Sequence, residues 1–177
     1  MKKIGLLSDT HGFLENRLFD YFKEADEIWH AGDIGESAIL ERLEELRKVR
    51  AVYGNIDGGN LRAALHEYLE FEIEGLRVLM IHIANKPPRY NPKTLSLIRA
   101  SRPDLLVCGH SHILKVEFDK KNNLLFMNPG AAGNHGFHKV KTALRFSIDQ
   151  GKAKNLEVID LGKRGSLKGP TENYPNL

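Results

Sequence analysis

Along the first third of the chain, short apolar runs alternate with amphipathic stretches. Ile4 to Leu7 is an apolar run that stops at Ser8-Asp9, the pattern of a buried strand entering a loop. Glu15 to Glu24 sets Leu18, Phe19 and Phe22 at helical spacing. Glu27 to His30 reads as a second strand, closed by Ala31-Gly32-Asp33. Ser37 to Lys48 carries Ile39, Leu40, Leu43 and Leu46 on one face and Glu41, Glu44 and Glu45 on the other, which predicts an amphipathic helix. Val49 to Tyr53 is a third strand, closed by Gly54-Asn55. Strands alternating with helices in this way predict a parallel sheet with right-handed crossovers.

The remainder follows a different rhythm. Tyr68 to Ile73 and Arg77 to His82 flank Glu74-Gly75-Leu76 and predict a hairpin. Pro92 to Ser101 begins with proline at a first helical position and contains Leu95, Leu97 and Ile98. Leu105 to Cys108 is another buried strand, closed by Gly109-His110. Ile113 to Asp119, Leu124 to Met127, Ala143 to Ile148 and Ala153 to Leu161 read as strands, joined by turns such as Lys121-Asn122-Asn123 and Gln150-Gly151. The expectation is one α/β domain over residues 1–161, with two packed sheets and outer helices, followed by a loose tail over 162–177 rich in Gly, Pro, Asn and Lys.

Composition narrows the functional classes. A length of 177 residues suits one domain, and 41% hydrophobic with 28% charged residues is ordinary globular material. The net charge of +3 is too small an excess to argue for nucleic acid. Cys108 is the only cysteine, so no intrachain disulfide forms, which is compatible with a reducing compartment. The apolar run after Lys2-Lys3 is shorter than the roughly 7–15 residues of a secretory core, and no stretch nears the roughly 18 of a membrane span. The expected protein is soluble and cytoplasmic, and free of any membrane partner.

Five of the apolar strands end in a residue of metal-ligand type. They deliver Asp9 and His11, then Asp33, then Asn55, then His82, then His110 and His112. In open α/β sheets, function collects at these carboxyl ends. Carboxylate oxygen and imidazole nitrogen suit Mn, Fe, Zn, Co or Ni, and the set has no thiolate, which argues against a structural zinc site. Seven such groups are too many for one tetrahedral ion. They suit two ions sharing a bridging carboxylate, roughly 3.5–4 Å apart, with a hydroxide between them to attack a phosphoryl group. Each fragment alone is weak, since Asp-x-His arises often by chance and Gly-Asp is usually a turn. The ordered recurrence of all of them at strand ends carries the reading.

As an ordered series, Asp9-Thr10-His11, Gly32-Asp33, Gly54-Asn55, His82 and Gly109-His110-Ser111-His112 resemble the motifs of the calcineurin-like metallophosphoesterase superfamily. The short chain, Gly54-Asn55-Ile56-Asp57 and Asn128-Pro129-Gly130 most resemble its small single-domain branch of bacterial and archaeal phosphodiesterases. The resemblance spans residues 4 to about 160. It implies a sandwich of two mixed β-sheets flanked by α-helices, and hydrolysis of a small phosphate ester. It implies two divalent transition-metal ions, manganese first, with Ni, Co, Fe or Zn as the other candidates. Asp9, His11 and His112 would hold one ion, Asp33 would bridge, and Asn55, His82 and His110 would hold the other. Asp33 and Asn55 are the expected catalytic residues, with Asn55, His110 and Arg89 as expected substrate contacts. Backbone near Gly54 and Gly109 is expected to approach its neighbours closely, because glycine lacks a Cβ.

Two departures stand out. Many members of the superfamily follow Gly-Asn with a histidine that protonates the leaving group; here Ile56 stands there, followed by Asp57, which is expected to be a structural carboxylate. Many also follow the His82 position with glycine, whereas this chain continues Ile83-Ala84-Asn85-Lys86-Pro87-Pro88-Arg89-Tyr90. Lys86, Arg89 and Tyr90 in that loop read either as phosphate or base contacts or as a solvated surface. His30 reads as support for a ligand or as a buried histidine with a backbone partner. His66 reads as surface, His135 and His138 as borders of the site, and Trp29 and Phe22 as core. Besides the hydrolase, a metal-binding scaffold for partner proteins and a nuclease are the alternatives. All seven ligand positions are filled, which opposes the scaffold, and no DNA-gripping domain is evident. A homo-oligomer is compatible with the sequence.

Overall fold

A computed structural model describes residues 1–165. The first three strands, β1 (Lys2–Leu7), β2 (Glu27–His30) and β3 (Lys48–Ala51), pair in parallel, as the strand–helix alternation predicts. Between them lie α1 (Arg17–Phe22) and α2 (Ser37–Leu46). After β3 come α3 (Gly59–Ala64), the hairpin β4 (Tyr68–Ile73) and β5 (Leu76–Ile81), and a small ribbon β6 (Asn85–Lys86) and β7 (Arg89–Tyr90). Then follow α4 (Pro92–Ser101), β8 (Leu105–Val107), β9 (Leu114–Asp119), β10 (Leu124–Pro129), β11 (Val140–Asp149) and β12 (Lys152–Lys163).

The strands form two five-stranded sheets, in the orders β12-β11-β1-β2-β3 and β4-β5-β8-β10-β9. Both are mixed. In the first, β11 runs antiparallel to β1 and β12. In the second, β5, β8 and β10 are parallel, with antiparallel β4 and β9 at the edges.

Period-two alternation makes these sheets a sandwich. Ile4, Leu6 and Trp29 of the first sheet meet Val78, Met80, Leu105 and Val107 of the second in a common core. Trp29 lies edge-on to Phe71 across the sheets at 5.1 Å. The opposite faces are covered by helices. Leu7 and Ile28 pack with Leu18, Phe22 and Leu43 of α1 and α2, and Leu79, Ile81 and Leu106 with Ile98 of α4. A central strand buried on both faces needs apolar residues at successive positions, which is why these strands read as unbroken runs.

The structure departs from the sequence expectation in several places. α2 ends short of the expected Lys48, because Lys48 pairs with Glu27 and so belongs to β3, and α1 spans Arg17–Phe22 rather than the expected Glu15 to Glu24. α3 and the β6–β7 ribbon were not foreseen. Leu61 is the only buried side chain of α3, so six residues carry no periodic signal. β12 continues to Lys163, past the expected boundary at 161, and Arg164 and Gly165 follow in a turn. Residues 166–177 of the expected tail lie outside the described residues. Among the described residues no helix is long and apolar enough to cross a membrane.

An ammonium is buried with this frame. Lys141 of β11 is 0% exposed, its Nζ is 2.6 Å from Glu15 Oε2, and it lies 4.8 Å above the Phe13 ring. A buried ammonium that loses its carboxylate keeps the desolvation cost and loses the attraction. Glu15→Ala is therefore expected to destabilise by about 2–3 kcal/mol, whereas Lys141→Met, which removes the charge and fills the volume, should stay within about 1 kcal/mol of the parent. Urea unfolding of both variants checks this, and equal losses would contradict it.

Candidate metal centre

The loops leaving β1 and β2 stay joined after the strands end. Asp9 N–H donates to Gly32 O at 2.9 Å, and His11 N–H donates to Asp33 O at 3.0 Å. In the other sheet, Gly109 N–H donates to His82 O at 3.0 Å. Within this frame the chain turns sharply, with Asp9, His11, Asp33, His110 and His112 at φ values of 55°, 49°, 54°, 67° and 56°. Left-handed backbone is uncommon outside glycine and costs about 1–2 kcal/mol per residue. Five such residues at one place indicate a functional geometry held by its surroundings.

Glycines make the close contacts here, Gly109 between the two sheets and Gly54 within the loops of the first. A Cβ on Gly54 would overlap Asp33 Oδ1, and a Cβ on Gly109 would overlap Ser8 Oγ and crowd Asp9 Oδ2. The expected close approach is therefore present at both. Across it, donor atoms from both sheets converge in two sets, Asp9 with His11 and His112, and Asp33 with His82 and His110. Within each set the ligand atoms lie within 4.8 Å of one another. Asp33 stands between them, with Oδ1 3.2 Å from His82 Nε2 and Oδ2 3.7 Å from His11 Nε2. Asn55 Oδ1 lies 3.2 Å from His82 Nε2. All seven predicted residues meet at one place, with the carboxylate and imidazole chemistry that suits a pair of divalent transition-metal ions.

Neighbouring groups orient the donors. His82 Nδ1 lies 2.7 Å from Ala31 O, so the ring donates there and leaves Nε2 free toward Asp33 and Asn55. His110 N–H donates to both oxygens of Asp9, at 3.2 and 3.1 Å. His30 is wholly buried, accepts from Gly32 N–H at Nδ1, and lies 2.9 Å from Thr10 Oγ1, which itself donates to Ile34 O. His30 therefore combines both readings made of it, a buried histidine with a backbone partner and a brace for the ligand loops. Burial lowers its pKa to about 4, so the ring is neutral at ordinary pH.

The electrostatics of the donors follow from burial and from each other. Burial raises the Asp33 pKa, but the hydrogen bond and charge of His82 outweigh it, and the carboxyl titrates below its ordinary value. Burial disfavours the charged His82 ring, but Asp33 and Asp9 overcome it and raise its pKa. Burial lowers the pKa of His11 and of His110. Asp33 is thus held ionised, and His11 and His110 are biased toward the neutral form that binds metal.

Two clefts open at the centre. One, of about 480 Å³, includes His11, Asp33, Asn55, His110 and His112 in its lining, together with His135 and His138. These last two do border the site, as expected: His135 lies 4.8 Å from the His11 ring and His138 lies 5.2 Å from the His112 ring. The second, of about 410 Å³, runs from Asn55 and His82 to Arg62 and Lys93. Arg89 lines neither cleft and is exposed with Lys86 in the β6–β7 ribbon. Tyr90 turns the other way, buried against Phe126 with its hydroxyl donating to Asp119 at 2.9 Å. The loop is thus anchored in the second sheet's outer core, and its cations are exposed outside both clefts. Asp57 accepts from Gly35 N–H at 2.8 Å and Gly54 N–H at 2.7 Å, so it is the structural carboxylate that was expected.

Some supporting residues escaped the sequence. Arg62 of α3 donates to the carbonyls of Asp57 and Gly54 and clamps the Asn55 loop. It lies on a helix with no pattern to announce it. Asn128 Nδ2 donates to Gly109 O at 2.7 Å and to Ser111 Oγ at 3.1 Å, which holds the loop carrying His110 and His112. Asn128-Pro129-Gly130 signalled the position but not this role.

Comparison with known proteins agrees with the geometry. Residues 1–151 match the model of the calcineurin-like phosphoesterase superfamily domain. The chain is 36% identical over 134 residues to a probable metallophosphoesterase of Methanocaldococcus jannaschii, covering 72% of this chain and 67% of that one. Solved structures share the fold. A novel archaeal phosphodiesterase superposes with a TM-score of 0.70 at 21% identity over 89% of this chain and 99% of that one. Vps29 of Entamoeba histolytica complexed with zinc gives 0.70 at 19% identity over 90% and 99%. The chain belongs to the calcineurin-like phosphoesterase superfamily, as its motif series implied.

The glycine contacts give a direct test. Gly54→Ala and Gly109→Ala are expected to weaken manganese binding by about 10–100-fold, the range for disturbing groups that support metal ligands. Titration calorimetry with Mn²⁺ checks this, with Gly58→Ala as control because a Cβ there meets nothing within 4 Å. Parental affinity in both variants would show that the crowding is relieved without moving Asp33 or Asp9.

Proposed function

We propose that the chain is a phosphodiesterase that works with two divalent transition-metal ions, manganese first among them. The observation that carries this is the position of Asp33, whose two oxygens face separate donor sets. In this reading Asp9, His11 and His112 hold one ion, His82, His110 and Asn55 hold the other, and Asp33 serves both. The chemistry two such ions supply when bound is charge neutralisation at the phosphoryl group and activation of a water nucleophile. The chain's own part is to hold the carboxylates and imidazoles at fixed positions, and to offer the Asn55 amide and the His110 ring to the phosphoryl oxygens. The cytoplasm is the proposed compartment, in keeping with buried, unpaired Cys108.

The preference for diesters comes from Ile56. It lines the metal-facing cleft where a proton donor would stand, and it cannot donate. Asp57 does not replace it, since its oxygens are taken by two backbone N–H groups. A leaving group of low pKa, or a diester with one negative charge rather than two, suffers least from the missing donor. Arg89, kept among the substrate contacts by the sequence, would have to reach in from the β6–β7 ribbon. A scaffold role is not favoured, because all seven donor positions are occupied by ligand-type residues in one place. A nuclease role is not favoured by a net charge of only +3.

Asp33→Asn is expected to lower diesterase turnover by at least about 100-fold with an unchanged melting curve, since the amide lacks the charge that both ions would share. Metal analysis should find two equivalents bound to the parent, and a single tight equivalent would sink the two-ion reading. Ile56→His should raise turnover of alkyl monoesters by about 10²-fold, the lower range for general acid catalysis, while leaving aryl diesters within a few-fold. A parent that already prefers alkyl monoesters would refute the argument from the missing donor.

A further inference from the structure

The donor set lies between two clefts of opposite character that meet at Asn55, which lines both. The larger continues past the histidines to Ile56, Ile113 and Phe137. These apolar side chains are 46%, 66% and 103% exposed. None belongs to the three cores of the fold, so packing within the chain does not account for them. A phenyl ring left wholly in water beside a polar donor set offers a face for another ring.

The smaller cleft has apolar lining too, but its Ile81 and Ile83 are buried or half-buried rather than exposed. The rest of its lining includes Tyr53, Arg62, Glu67 and Lys93. Lys93 pairs with Glu67 at 2.5 Å. Arg62 gives its hydrogen bonds to backbone carbonyls and lies 4.6 Å over the Tyr53 ring, with no carboxylate of the cleft paired to it. Among its lining residues this cleft therefore holds two cations against one anion.

A phosphodiester places two ester arms on one phosphorus. With the phosphoryl group at the donor set, one arm is directed into each cleft, and each cleft has the volume of an ordinary small-molecule site, about 300–1,000 Å³. We infer that the substrate is an unsymmetrical diester, with a flat aromatic arm seated against Phe137, Ile113 and Ile56 and a polar or anionic arm seated toward Arg62 and Lys93. A docked protein is the other explanation for an exposed apolar rim. Three side chains fall far short of the roughly 800 Å² per partner that a stable interface buries. The rim is also continuous with the lining that carries His11, Asp33 and His112, which ties it to whatever ligand enters there. The inference rests on the phosphodiesterase reading.

Binding to the manganese-loaded full chain, measured by calorimetry, separates the two without requiring turnover. Phenylphosphonate is expected to bind about tenfold more tightly than methylphosphonate, because only the first has a ring for Phe137. Phe137→Ala should abolish that difference and Ile113→Ser should reduce it, with methylphosphonate unchanged in both. Lys93→Ala should weaken phosphonoacetate severalfold and leave phenylphosphonate alone. Equal affinity of the two phosphonates for the parent, or a difference that survives in Phe137→Ala, would overturn the aromatic arm. An unchanged phosphonoacetate affinity would overturn the polar arm. A change of oligomeric state in Phe137→Ala with phosphonate affinities intact would assign the rim to a protein interface instead. If neither phosphonate binds the loaded parent, both the inference and the phosphodiesterase reading fail. If phosphonates discriminate as expected but no diester turns over, only the phosphodiesterase reading fails.

Discussion

The centre depends on the chain turning at once where each strand ends, and it does so by placing the donor residues themselves in left-handed backbone. Asp9, His11, Asp33, His110 and His112 all have positive φ. Asp and His enter that region more readily than most residues but still uncommonly, so five together persist only because other contacts over-determine them. Those contacts are visible. The loops remain cross-linked by backbone hydrogen bonds after the strands stop, His30 and Thr10 brace the first sheet's side, and Asn128 braces the second. Longer loops would relieve the backbone but lose the fixed distances between donors.

The same constraint explains how tightly the backbone packs at the centre, between the two sheets at Gly109 and within the first sheet's loops at Gly54. Gly54 and Gly109 each press their backbone against a carboxylate that faces the centre. Asp33 then reaches donors of both sheets, His11 from the first and His82 from the second. The carboxylate is kept ionised by the neighbours that orient it. Structure and electrostatics therefore serve one end, since the groups that fix Asp33 in place also hold its charge.

Around this polar knot the surface is divided. One cleft ends in exposed Ile113 and Phe137, the other in Arg62 and Lys93, and the two join at Asn55. Asp57, the acidic residue nearest the missing proton donor, is spent on holding the Gly35 and Gly54 backbones. In the proposed reading, substrate choice is separated from the donor set: Ile56, Ile113 and Phe137 lie on the loops after β3, β8 and β10, and Arg62 and Lys93 on α3 and α4.

Much of this was legible along the chain. The runs Ile4–Leu7 and Leu105–Cys108 announce buried strands because a strand covered on both faces has little room for a polar position until it leaves the sheet, and Glu27–His30 does so with an apolar centre whose polar ends are paired where they are buried. The first polar residues after such a run must therefore lie at a sheet end, which is why all seven donor-type residues could be named from sequence. α4 was equally plain, with proline at its start and an Asn91 cap. The tertiary structure decided the rest. Strand order brings Asp9 beside His112, 103 positions away, and sets Asp33 against His82, and no local pattern encodes which strands become neighbours. It turned Tyr90 into the outer core and left Arg89 outside both clefts, since a loop of mixed charge and proline carries no periodicity to say which way it faces. It brought Arg62 to the Asn55 loop from a helix too short to have an amphipathic signal. It left Phe137 in water at the mouth of a cleft, because exposure is a property of the packed molecule and not of the residue.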